Sequence, residues 1–86
     1  MEESFNCACG KKIRSRRLTL GLTQSKLAES VGVTFQQIQK YEKGTNGVSA
    51  ERLGQIATAL KVNVLYFYNN YKPNFQVIEN DKSNSW

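Results

Sequence analysis

Apolar residues recur at helical spacing along most of this chain, and glycines and hydroxyl residues cut the pattern into short pieces. In "CGKKIRSRRLTL", residues 9–20, Cys9, Ile13 and Leu20 share one side of a helix, with Lys and Arg on the other. Gly21 is placed to end that helix. Thr23 is a suitable N-cap for a second helix, with Leu27, Ala28 and Val31 as its apolar stripe and Gly32 as its stop. A helix of about two turns is marginal in isolation and needs neighbours to pack on. Thr34 opens a third, and Thr34-x-x-Gln37 fits a capping box. Phe35, Ile38, Tyr41 and Glu42 fall on one side, and Gln36, Lys40 and Lys43 on the other, with Gln37 at the margin. Gly44 closes it, and Asn46-Gly47 reads as a turn with positive φ. Ser49 caps a fourth helix carrying Leu53, Ile56, Ala57 and Leu60, and Asn63 caps a short fifth, "VLYFY".

The expected fold is therefore all-α, with five helices in one domain over residues 9–68. Residues 1–8 form an N-terminal arm and residues 69–86 a polar tail. In the tail, "FQVI" fits a short strand, but the asparagine-rich composition points mostly to tail. The connection Val31-Gly32-Val33 leaves so few residues between two helices that the chain must turn sharply, the shape of a helix-turn-helix.

Charge and composition narrow the function classes. Lysine and arginine number 12 against 7 acidic residues, a net charge of +5. Lys11, Lys12, Arg14, Arg16 and Arg17 crowd together, which suits either a polyanionic partner or a solvated helix face. The chain has no histidine, no paired-carboxylate pattern and no glycine-rich phosphate loop, so an enzyme is not expected. Cys7 and Cys9 are two apart and cannot supply four zinc ligands, so no metal or other cofactor is expected; Cys9 reads as a small core residue. No apolar run reaches the roughly 18 residues of a membrane span, and "MEESFNCACGKK" lacks a signal-peptide core. A cytoplasmic location without membrane association is the expectation.

The combination L-T-Q-x-x-L-A, V-G-V and I-x-x-Y-E-x-G, within "GLTQSKLAESVGVTFQQIQKYEKG" and followed by "RLGQIATALKV", resembles the phage repressor and Cro type of helix-turn-helix, the xenobiotic-response-element family. The resemblance covers about residues 9–68. It implies that the helix from Thr23 positions the protein on double-stranded DNA while the helix from Thr34 lies in the major groove. Carried over by position, Gln36 and Gln37 fall where such proteins read base edges, with Lys40 one turn further on. Gln24 corresponds to a phosphate-contacting glutamine, and Lys43, Thr45 and Asn46 to the stretch touching the DNA backbone. Arg17 and Glu42 correspond to a structural ion pair. Phe35 departs from the pattern, since many relatives have a polar base reader there.

The side-chain chemistry suits these roles. A glutamine amide offers a donor beside an acceptor, matching N6–H and N7 of adenine in the major groove. Gln36 has no local capping task, whereas the capping box alone would account for Gln37. Lys40 can reach guanine or a phosphate. Gln24 stands at a helix N-terminus, where backbone N–H groups favour an anion. One such helix spans only a few base pairs, so a homodimer on a palindromic operator is expected, with Val64, Tyr66 and Phe67 as contacts between copies. The function that follows is a sequence-specific DNA-binding transcriptional regulator, a repressor by preference. The alternative is a protein-interaction module or antitoxin-like partner binder, with the tail as the binding segment.

Overall fold

The computed structural model describes residues 3–69 and 71. Four α-helices and one short 3-10 helix make up the fold: α1 (Phe5–Thr19), α2 (Gln24–Val31), α3 (Phe35–Lys43), α4 (Ala50–Ala59) and the 3-10 helix Val64–Tyr68. There is no strand among the described residues. The fifth element is thus a single tight 3-10 segment in place of an α-helix. The expected strand at "FQVI" and most of the tail lie outside the described residues.

Local chemistry explains the boundaries. Thr23, Thr34 and Ser49 each accept a hydrogen bond from the backbone N–H three residues on, at 3.0–3.1 Å, satisfying one orphan donor of the helix they open. Asn63 caps the 3-10 helix through the Leu65 N–H at 2.9 Å. Gly32 and Gly44 end α2 and α3 in the left-handed region, at φ 74° and 77°. The turn after α3 uses Gly44 for its positive φ; Gly47, expected in that role, does not adopt it.

α1 begins earlier than its apolar pattern indicates. Ser4 accepts from the Cys7 N–H at 3.1 Å and starts the helix at Phe5, so the second half of the expected arm, residues 5–8, is the first turn of α1. The stripe misses this turn because its fixing contacts are non-local: Phe5 stacks on Tyr68 with centroids 4.9 Å apart and meets Tyr71 edge-on at 5.3 Å.

Cys9, Ile13, Leu27, Ile38, Leu53, Ile56, Leu60 and Phe67 form a core drawn from every element. Burial pushes the Cys9 thiol up to about 11, as fits a packing residue and not a reactive one. α3 packs on both α1 and α2, which fixes its direction relative to the rest of the domain.

Candidate nucleic-acid interface

Two features hold α3 in place from the inside. The first is a close helix crossing. A Cβ built on Gly10 would stand 2.3 Å from the Tyr41 carbonyl oxygen and 2.6 Å from that of Glu42, so α1 lies against the backbone of α3 where only glycine fits. The apolar pattern gave no sign of this; the one available signal was a glycine inside a helix, which usually has a packing reason. The second is a buried ion pair. Arg17 Nε and Nη2 donate to the two Glu42 carboxylate oxygens at 2.6 and 3.1 Å, a two-pronged pairing that fixes orientation as well as distance. Arg17 Nη1 also donates to the Leu22 carbonyl at 2.8 Å, and Gln24 Nε2 donates to Glu42 Oε1 at 3.0 Å. The two charged residues are only 6% and 8% exposed. Among the described residues no buried side-chain polar atom lacks a partner, the condition under which a buried pair is tolerated.

Gln24 therefore faces inward with one of its amide hydrogens. It links α2 to the ion pair between α1 and α3, and only its second amide hydrogen and its backbone N–H remain for an outside anion. The pattern of the sequence could not distinguish an outward from an inward first-turn glutamine.

The outer face of α3 has a different character. Gln36, Lys40 and Lys43 are exposed and Gln37 is half-buried. Thr34 caps the Gln37 N–H, but no bond returns from the Gln37 amide to Thr34 among the described residues, so the capping box is only half made and that amide stays free. The only acid on α3 is Glu42, which is turned inward and paired. Beyond Gly44, Thr45 and Asn46 are exposed; the Thr45 hydroxyl donates to the Lys40 carbonyl at 3.2 Å and so caps the end of α3. The first turn of α1 supports this loop from below. Cys7 backbone and sulfur lie 2.8 Å from where a Gly44 Cβ would be, and the Asn6 amide 3.3 Å from a Gly47 Cβ.

Phe35 was placed on the apolar side of α3. It is instead 40% exposed, absent from the packed cluster, and stands at the leading end of the helix beside Gln36. As the first helical residue it has no preceding turn to pack on, which the 100° projection cannot register.

Most of the basic stretch in α1 is engaged by partners within the domain. Lys11 pairs with Glu3 at 2.5 Å, an exposed contact of little energetic weight that raises the lysine pKa. Lys12 Nζ donates to the Tyr66 carbonyl at 3.2 Å and to that of Asn69. Arg16 Nε donates to the Leu60 carbonyl at 2.9 Å, and Arg17 holds Glu42. Among the described residues only Arg14 of the five is exposed without a protein partner. The density of charge arises from helix-end capping and two ion pairs more than from a polyanion surface.

The expected contacts between copies also need correction. Phe67 is fully buried in this domain's core, so its side chain is not available to a second chain. Tyr66 is half-buried under Lys12, whose ammonium lies 5.8 Å from the ring centroid. Val64 stays exposed, and the larger apolar surface there belongs to Leu65, at 63% exposure, and Tyr68. In a 3-10 helix residues three apart share a side, which sets Leu65 and Tyr68 together on the outside. Among the described residues no group of three or more Cys, Asp or Glu could hold a metal, and no helix is long and apolar enough to cross a membrane.

The helix-turn-helix family pattern matches residues 13–67. An HTH-type transcriptional regulator of Sinorhizobium medicae is 59% identical over 59 residues, 69% of this chain and 42% of that protein, so the chain spans less than half the length of this relative. Among solved structures, the clp gene regulator ClgR from Corynebacterium glutamicum superposes with a TM-score of 0.77 at 31% identity, covering 79% of this chain and 72% of that one. The P22 c2 repressor in complex with a synthetic operator superposes at 0.66 and 30% identity, covering 69% of this chain and 89% of that one. The chain belongs to the Cro/C1-type, or xenobiotic-response-element, family of helix-turn-helix transcriptional regulators and carries their DNA-binding, repressor-like fold.

Proposed function

We propose that this chain binds a specific double-stranded DNA operator as a homodimer and acts as a transcriptional repressor in the cytoplasm. The supporting observation is the outer face of α3: Gln36, Gln37 and Lys40 stand free of internal partners, with no acid among them, on a helix locked from behind by Gly10 and the Arg17–Glu42 pair. A rigid helix with uncharged amides at its leading end suits base reading, because an amide pairs with a base edge and is not captured by phosphate. Gln36 and Gln37 read base edges in the major groove and Lys40 reaches a guanine or phosphate one turn further on. Lys43 and Asn46, with the Thr45 backbone, hold the DNA backbone beyond the helix. Gln24 contributes its backbone N–H at the start of α2 to a phosphate while its side chain steadies Glu42. The domain runs from Ser4 to Tyr68, and the tail from Asn69 extends the contact between copies or receives a partner protein. Two domains related by a two-fold axis place their α3 helices in half-sites about 10 base pairs apart, and Val64, Leu65 and Tyr68 supply the apolar contact between them.

Replacing Gln36 by alanine tests the base-reading role. The variant should lose about 1–3 kcal/mol on the cognate site and discriminate less at one position of each half-site. Its melting temperature should not move, since Gln36 is exposed. Retained discrimination between the cognate site and every single-substituted site would remove Gln36 from the reading set.

A further inference from the structure

Phe35 is a large aromatic side chain outside the domain's packed core. It is 40% exposed and is not among the hydrophobics of the packed cluster, although Val33, two residues before it, packs against that cluster. It is also the first residue of α3, directly after the Thr34 cap. Side chains on a helix tilt toward its N-terminus, so a ring at the first position projects past the helix end, ahead of Gln36. The other exposed side chains of α3 are Gln36, Lys40 and Lys43, with no exposed acid on the helix, a neutral-to-positive element that favours a polyanion over an apolar protein face. The exposed apolar residues of the 3-10 helix belong to a different element, which packs on α1 and α4.

We infer that Phe35 is a specificity-determining residue that packs on the C5-methyl group of a thymine in the major groove. This deepens the DNA-binding reading above and rests on it. A phenyl ring has no donor or acceptor, and the major-groove edge offers it one apolar group, the thymine methyl. Covering that methyl removes apolar surface of both partners from water, and a cytosine at the same place leaves the ring against a polar edge. Each half-site should then hold a thymine within a base pair or two of the adenine read by Gln36.

The experiment uses the full chain and an operator selected from random duplexes. Each thymine is replaced in turn by uracil, which keeps every hydrogen bond and lacks only the methyl, and affinities are read by fluorescence anisotropy at one salt concentration. For the unaltered protein, one substitution per half-site should weaken binding about fourfold, the factor for one buried carbon. Phe35→Ala should bind the thymine and uracil duplexes equally, and Phe35→Leu, which keeps an apolar tip, should restore part of the difference. Melting curves of both variants should stay close to that of the unaltered chain, because the ring lies outside the packed core. Indifference of the unaltered protein to every methyl would overturn the inference, as would full methyl sensitivity in Phe35→Ala. In those outcomes binding to the selected operator persists, so the broader reading survives; a chain that selects no sequence at all overturns both.

Discussion

Glu42→Ala should lower the stability of this domain by about 3–5 kcal/mol, the range for removing one partner of a buried ion pair. The variant leaves the Arg17 guanidinium 6% exposed with only the Leu22 carbonyl to accept from it, and it deprives Gln24 of its acceptor. A small domain holds only about 5–15 kcal/mol in total, so this is a large part of the whole. The melting temperature should fall by at least about 12 °C, given roughly 4–8 °C per kcal/mol at this size. Replacing both partners together, as Arg17→Met with Glu42→Met, should return most of the loss, because the penalty lies in the stranded charge. An unshifted melt for Glu42→Ala would mean that the pair contributes nothing to holding α3.

Gly10→Ala offers a test in which the sign alone decides. In an unconstrained helix interior alanine is favoured over glycine by about 1 kcal/mol. Here the added methyl meets two carbonyl oxygens of α3 at 2.3 and 2.6 Å, and backbone atoms cannot rotate aside as a flexible side chain does. Overpacking of this kind costs about 1–3 kcal/mol or more and outweighs the propensity gain. The variant should therefore melt lower than the unaltered chain and bind DNA more weakly than its remaining folded fraction accounts for, since relief requires α3 to move outward. A higher melting temperature would show that the two helices are not in contact at Gly10.

The elements and their stops were legible in the sequence because their causes are local. A hydroxyl cap bonds an N–H three residues on, and a glycine ends a helix where it stands, so Thr23, Thr34, Ser49, Gly32 and Gly44 could be read without knowing the fold. What was not legible depends on partners far along the chain. The first turn of α1 is fixed by Tyr68 and Tyr71, more than sixty residues away. The basic stretch at 11–17 suited either a polyanion or a solvated face, yet Lys12 and Arg16 serve carbonyls at residue 60 and beyond. Gln24 looked outward until Glu42 was placed beside it. Phe35 and Phe67 were misjudged in opposite directions, because the helical period says which residues share a side and not whether anything lies against that side. Gly10, a glycine inside a helix, hinted at close packing, but only α3 crossing it shows against what.

The central claim is that α3 reads DNA sequence from its outer face. The measurement that meets it most directly is the ratio of dissociation constants for a selected palindromic duplex and a scrambled duplex of equal length, taken at physiological salt. Specific recognition predicts a ratio of about 10³ or more in favour of the selected site. Equal affinity for the two duplexes, or no binding to either, would contradict the account.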